Sequence, residues 1–190
     1  MKNTYRREKD GEIIIGQSLP VFIHNYHYML SEIHIYKDGM IDCWELTDLN
    51  GFIEKVRSGW IKTSIPDNHD LYAFPLGNFK IEKFFPGRSE EELIKEVKDI
   101  LAILNNRPTS LNLCREAFQT YQSNPSKEHF NKLKESYELV PNHNKKFILG
   151  DMDVDDIPIR VILFGEDEYE KSHKGQVQRQ LIKEHYLKGL

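Results

Sequence analysis

Four aspartates fill six consecutive positions in GDMDVDDIP (residues 150–158): Asp151, Asp153, Asp155 and Asp156. Carboxylates so crowded repel one another, so the pattern needs water, a metal ion or cationic partners. The spacing D-x-D-x-D matches the first three ligand positions of a calcium loop. The glycine required at position 6 is Asp156, however, and the bidentate glutamate required at position 12 is Ile162. The calcium reading fails on both. Read as part of a strand, Asp151 and Asp153 would share one face, the arrangement used by two-metal phosphoryl transfer.

Three further sets of residue types could do chemistry. His34 and Cys43 lie on either side of an Asp38-Gly39 turn. Paired across a two-residue hairpin they would form a thiol–imidazole dyad, although a buried cysteine suffices to explain Cys43. His24 and His27, three residues apart, would face opposite sides of a strand and could share a metal only in a turn or helix. Trp44, Trp60, Tyr72, Phe74, Phe84 and Phe85 could stack on bases or sugars, but a small sheet needs such residues for its core, and core is the expectation.

The elements that must hold these residues are legible in part. From Glu12 to about Pro86 the chain reads as strands around one short helix, with Asp48 as its N-cap and Gly59 as its stop. SEIHIYKDGMIDCWEL (residues 31–46) reads as a hairpin that places Tyr36 opposite Ile41, Ile35 opposite Asp42 and His34 opposite Cys43. Residues 89–140 read as three helices packed on the sheet, the first capped by Ser89 and burying Leu93, Val97, Leu101 and Leu104. KKFILGD and IPIRVILFG read as returning strands before a last helix from Gln176 to Leu187. A strand from Ile157 to Phe164 would hold the aspartates and the acids at 166–170 about 25 Å apart.

The expected fold is α+β. An antiparallel twisted sheet or small half-open barrel with a ββαββ start carries an inserted helical subdomain and a C-terminal helix. All of 1–190 is expected to be one domain, with a β-rich part at 12–86, a helical insertion at 89–140, and returning strands and helix at 145–190.

Charge bounds the function. The net charge is −4, which gives no global basic field for nucleic acid. Residues 150–170 hold eight acids against Arg160 alone, a balance of −7. Two cysteines cannot build a disulfide framework or a four-thiolate zinc site. No leader-like or membrane-spanning apolar run is present, so a reducing cytoplasmic setting is expected. No Walker loop, dinucleotide fingerprint, H-E-x-x-H, G-x-S-x-G or paired C-x-x-C occurs.

In size, acidity and lack of a catalytic signature the chain resembles the bacterial immunity proteins, small cytosolic inhibitors of toxins. The resemblance implies a non-enzymatic protein that binds a basic protein partner, here through Asp151, Asp153, Asp155 and Asp156, with no cofactor or metal. Two other readings stand beside it. FILGDMDV is superficially similar to the strand motif of haloacid-dehalogenase-type phosphatases, and Asp151-Met152-Asp153-Val154 is similar to the D-h-D-h strand of nucleotidyltransferases. The latter implies a metal-dependent phosphoryl-transfer enzyme using Asp151 and Asp153. The second alternative is a reader of nucleic acid or carbohydrate that uses exposed aromatics.

Overall fold

The structure is a computed structural model that describes residues 4–189; residues 1–3 and 190 of the expected single domain lie outside them. The chain divides into two compact units, Met1–Arg107 and Pro108–Leu190. The fold is α+β, and its sheet is a curled half-barrel. Among the described residues no helix is long and apolar enough to cross a membrane.

The N-terminal unit contains the whole sheet. Its elements are β1 (Thr4–Lys9), β2 (Glu12–Asn25), β3 (His27–Tyr36), β4 (Ile41–Asp42), β5 (Leu46–Thr47), α1 (Leu49–Arg57), β6 (Ile61–Lys62), β7 (His69–Ala73), β8 (Gly77–Ile81) and α2 (Glu90–Leu104). Strands β1 to β5 lie side by side in chain order, β6 pairs with β2, and β7 joins β3 and β8. Every pairing is antiparallel except β3 with β7. The long β2–β3 hairpin is the spine, in register from Gly16 opposite Tyr36 to Asn25 opposite His27. Its period of two sends Val21, Ile23, Ile33 and Ile35 to one face. That face packs against Phe52 and Val56 of α1 and Leu93, Val97, Ile100 and Leu104 of α2.

Both helices start as the sequence indicates, with Asp48 accepting from the Gly51 amide and Ser89 from the Glu92 amide. Leu101 is only half-buried at the margin of this core, whereas Leu93, Val97 and Leu104 are inside it.

The β3–β4 hairpin differs from expectation by one residue. His34 stands opposite Asp42 and Ile35 opposite Ile41. The loop is three residues long, Lys37-Asp38-Gly39, closed by Gly39 N–H to Tyr36 O (3.0 Å) and Tyr36 N–H to Met40 O (2.8 Å). Within it Gly39 alone takes a left-handed φ, 89°. A two-residue type I′ turn would require Asp38 to do so as well. Because side chains alternate, the slip turns Cys43 to the core face beside Ile41 and leaves His34 on the other.

The C-terminal unit is helical: α3 (Ser110–Ser123), α4 (Lys127–Leu139), α5 (Asn142–Lys145), α6 (Ile157–Phe164), a 3-10 turn at Glu166–Tyr169, α7 (His173–Val177) and α8 (Arg179–His185). Helices α3 and α4 pair through Cys114, Ala117, Phe118, Leu133 and Tyr137, and share that core with Ile148 and Ile159. They therefore form part of this second core, not the sheet-packed trio expected of residues 89–140. The expected strands over KKFILGD and IPIRVILFG are absent: the first is turn, the second is α6. A continuous apolar run fits a buried strand or a buried helix equally well. With no strand to pair with among the described residues of this unit, a helix satisfies the backbone internally, and Pro158 at its start presets the required φ. The last helix is broken at Gln178 into α7 and α8.

Candidate functional site

The aspartates form a tight turn leading into α6, and their side chains diverge. Asp151 accepts from the Asp153 amide (2.9 Å) and the Tyr186 hydroxyl (2.9 Å), and these bonds hold its carboxyl below the usual carboxylate range. Asp155, at a left-handed φ of 50°, pairs with Lys174 at 2.9 Å. Asp156 is 8% exposed and accepts from the Tyr137 hydroxyl at 2.7 Å. Burial, and then that bond to a carboxylate, push the Tyr137 phenol up. Only Asp153 of the four is an exposed residue. The strand-like alternation that would put Asp151, Asp153 and Asp155 on one side is therefore lost, and with it the two-metal face.

Much of the acid excess of residues 150–170 is met within the same unit. Lys171 and Arg160 pair with Glu168, Arg179 with Glu166 (3.0 Å) and Glu170 (3.3 Å), and Lys183 with Glu166 (3.1 Å). Helix α6 rises only about 12 Å over its eight residues, so the two acid runs lie closer than a strand would hold them. Among the described residues, no three His, Cys, Asp or Glu side chains converge as a metal site would require.

His34 and Cys43 form no dyad, being on opposite faces of the sheet. His34 stacks on Tyr5 at 4.0 Å, and burial pushes the Cys43 thiol up. His24 stacks on Tyr28 at 4.4 Å at the end of the hairpin. Its neighbour His27 is exposed beyond a left-handed Tyr26.

Four of the six aromatics face solvent instead of a core. Trp44 is 53% exposed and Phe74 80% exposed, with Leu30, Tyr72 and Phe85 also exposed. Trp60 is partly buried against the core, and Phe84 packs edge-on against Phe22 at 5.4 Å. Strand β3 positions the exposed set. On the side away from β2 its two ends pair with different partners: residues 28–29 with β7 and residues 34–35 with β4. Trp44 follows β4 and Phe74 follows β7, so they stand at the two ends of the gap between those strands. The resulting groove, about 520 Å³, is lined by Pro20, Met29, Leu30, Ser31, Glu32, Trp44, Tyr72 and Phe74. A second hollow of about 560 Å³ shares Met29 and Tyr72 and adds His27, Asp70, Asn78 and Lys80.

Trp44 is held with care. Its φ is 71°, a region that bulky L-residues avoid. Its Nε1–H donates to Ser31 Oγ (3.2 Å), and its ring meets Trp60 edge-on at 6.0 Å. A strained backbone that leaves an indole half in water is the kind of local cost found at binding sites. Composition pointed these aromatics inward. The signal for the reverse is the position of Trp44 and Phe74 just past short strands, flanked by Cys43-Glu45 and Pro75, where no alternation assigns them to a core face.

Residues 3–108 match a family model described as Domain of unknown function (DUF7638), and the chain belongs to that family. Residues 109–187 match a second model, Domain of unknown function (DUF7639), and the junction falls beside the boundary between the two compact units. No curated protein and no solved structure matches the chain.

Proposed function

We propose that this chain is a non-enzymatic binding protein of a reducing cytoplasmic setting, and that it meets its partner through the aromatic groove of the N-terminal unit. The observation that carries the reading is the cluster of Trp44, Leu30, Tyr72 and Phe74, all exposed, around one groove. Apolar surface gathered in one place marks contact sites, and aromatic residues dominate the energetics of such sites. The acidic turn at Asp151–Asp156, first in line from the sequence, offers less. Its acids are engaged by Tyr137, Lys174 and Tyr186, with Asp153 as the exposed exception. Both cysteines, Cys43 and Cys114, are free and buried, consistent with a reducing compartment.

The test is selection on the full chain from displayed short linear peptides and immobilised glycans, counter-screened with Trp44→Ala and Phe74→Ala. Binders retained by the parent and lost by both variants are expected. Binders indifferent to both and lost in Asp153→Asn would move the contact to the aspartate turn.

A further inference from the structure

We infer that the groove takes an extended peptide segment of a protein partner, captured as an added strand on the open edge of β3. This rests on the groove reading above and assigns its ligand class. The first argument is backbone bookkeeping. On the side away from β2, β4 pairs with His34 and Ile35 and β7 with Tyr28 and Met29. Among the described residues no strand pairs with 30–33 on that side. The open stretch is four residues, about 13 Å long.

Which groups face it follows from the alternation of the strand. Tyr36 N–H points away from β2, to Met40 O, and Lys37 N–H points toward β2, to Ile15 O. The β2–β3 register is unbroken from residue 36 back to residue 27, so no bulge resets the count. Leu30 C=O and both the N–H and C=O of Glu32 therefore face the groove, the Leu30 N–H being spent on Tyr72 C=O in the Met29–Tyr72 pairing, while Ser31 and Ile33 spend theirs on β2. One donor and two acceptors at strand spacing, floored by apolar side chains, are what an incoming extended chain satisfies and what a sugar or a helix does not.

The side chains say what the segment carries. Met29, Ser31, Tyr72 and Trp44 border one face of the slot, which suits apolar residues at alternate positions. Leu30 and Glu32 border the other. Among the described residues Glu32 meets the neutral hydroxyl of Tyr5 (2.6 Å) and, at 3.9 Å, His34. A lysine or arginine of the segment would supply the counter-charge beside it. The ligand class is an extended segment with alternate apolar residues and one basic residue between them.

The experiment takes the random linear peptide display library named above, selected on the full chain, and synthesises the most enriched sequence. Alternate amides of that peptide are then N-methylated, which deletes N–H donors and leaves the side chains. Methylation in one phase is expected to weaken binding at least about tenfold and methylation in the other phase to weaken it much less, as expected for buried hydrogen bonds on one edge only. Hydrogen exchange read by NMR should show the Glu32 amide becoming protected on binding, with those of Leu30, Ser31 and Ile33 protected beforehand. Equal tolerance of both phases, together with loss of binding in Trp44→Ala, would overturn strand capture and leave the groove reading standing. Enrichment of glycans and no peptide would do the same. Peptide binding indifferent to Trp44→Ala and Phe74→Ala would overturn both readings. Concentration-dependent dimerisation lost in Trp44→Ala would give the slot to a second copy of the chain and overturn the peptide assignment.

Discussion

The backbone of Trp44 separates stability from binding in a measurable way. At φ 71° a residue with a Cβ pays roughly 1–2 kcal/mol that glycine does not. Glycine loses about 0.5–1 kcal/mol more chain entropy on folding than alanine. Trp44→Gly should therefore be more stable than Trp44→Ala by about 0.5–1 kcal/mol, the reverse of their order at an ordinary strand position. Both variants lose the same indole contacts, the bond to Ser31 and the edge contact with Trp60, so the difference isolates the backbone. The assay is urea unfolding followed by the fluorescence of Trp60, the one tryptophan left in either variant. With a slope of about 1–3 kcal/mol per molar urea, the midpoints should differ by a few tenths molar. Equal midpoints, or a more stable alanine variant, would show that the left-handed backbone stores no strain and would remove one support for the site. Both variants should bind poorly whichever is the more stable.

Three more outcomes follow from particular contacts. Gly39→Val should destabilise by about 1–2 kcal/mol in thermal or urea unfolding, because the open space around Gly39 leaves only the left-handed φ to oppose it. Tyr137→Phe should cost about 1–3 kcal/mol by calorimetry, because Asp156 would keep its burial and lose its donor. Burial pushes the Glu168 carboxyl up, but Lys171 and Arg160 together outweigh it, so its folded pKa lies below its unfolded value of 4.5. Its contribution is thus complete above that value and lost as pH falls through the folded pKa. Acid unfolding of the parent, followed by circular dichroism, should show this loss, and Glu168→Gln should lack that part of the pH dependence.

Local chemistry made the helices legible and long-range pairing hid the site. Asp48 and Ser89 cap as read because the cap, its amide partner and the apolar spacing all lie within one turn. The β3–β4 register slipped because Asp38-Gly39 is compatible with a two-residue or a three-residue loop, and the choice depends on whether Asp38 goes left-handed. The segment IPIRVILF carried no period to separate helix from strand, and only the absence of a strand partner decided it. The aspartate turn was read as polar, yet its counter-charge comes from Lys174 and a neutral donor from Tyr186, 19 and 35 residues distant from their partners. The groove had no signature beyond the placing of Trp44 and Phe74 just past short strands. It is a gap between β4 and β7, and a gap in pairing belongs to the assembled sheet.

The most direct measurement is site-specific photo-crosslinking in the native host, with benzoyl-phenylalanine placed at position 74 in the groove or at position 153 in the acidic turn. A protein adduct is expected from position 74, mapped by mass spectrometry to an extended segment of the partner and suppressed by Trp44→Ala, and none from position 153. An adduct from position 153 with none from position 74 would contradict the groove reading.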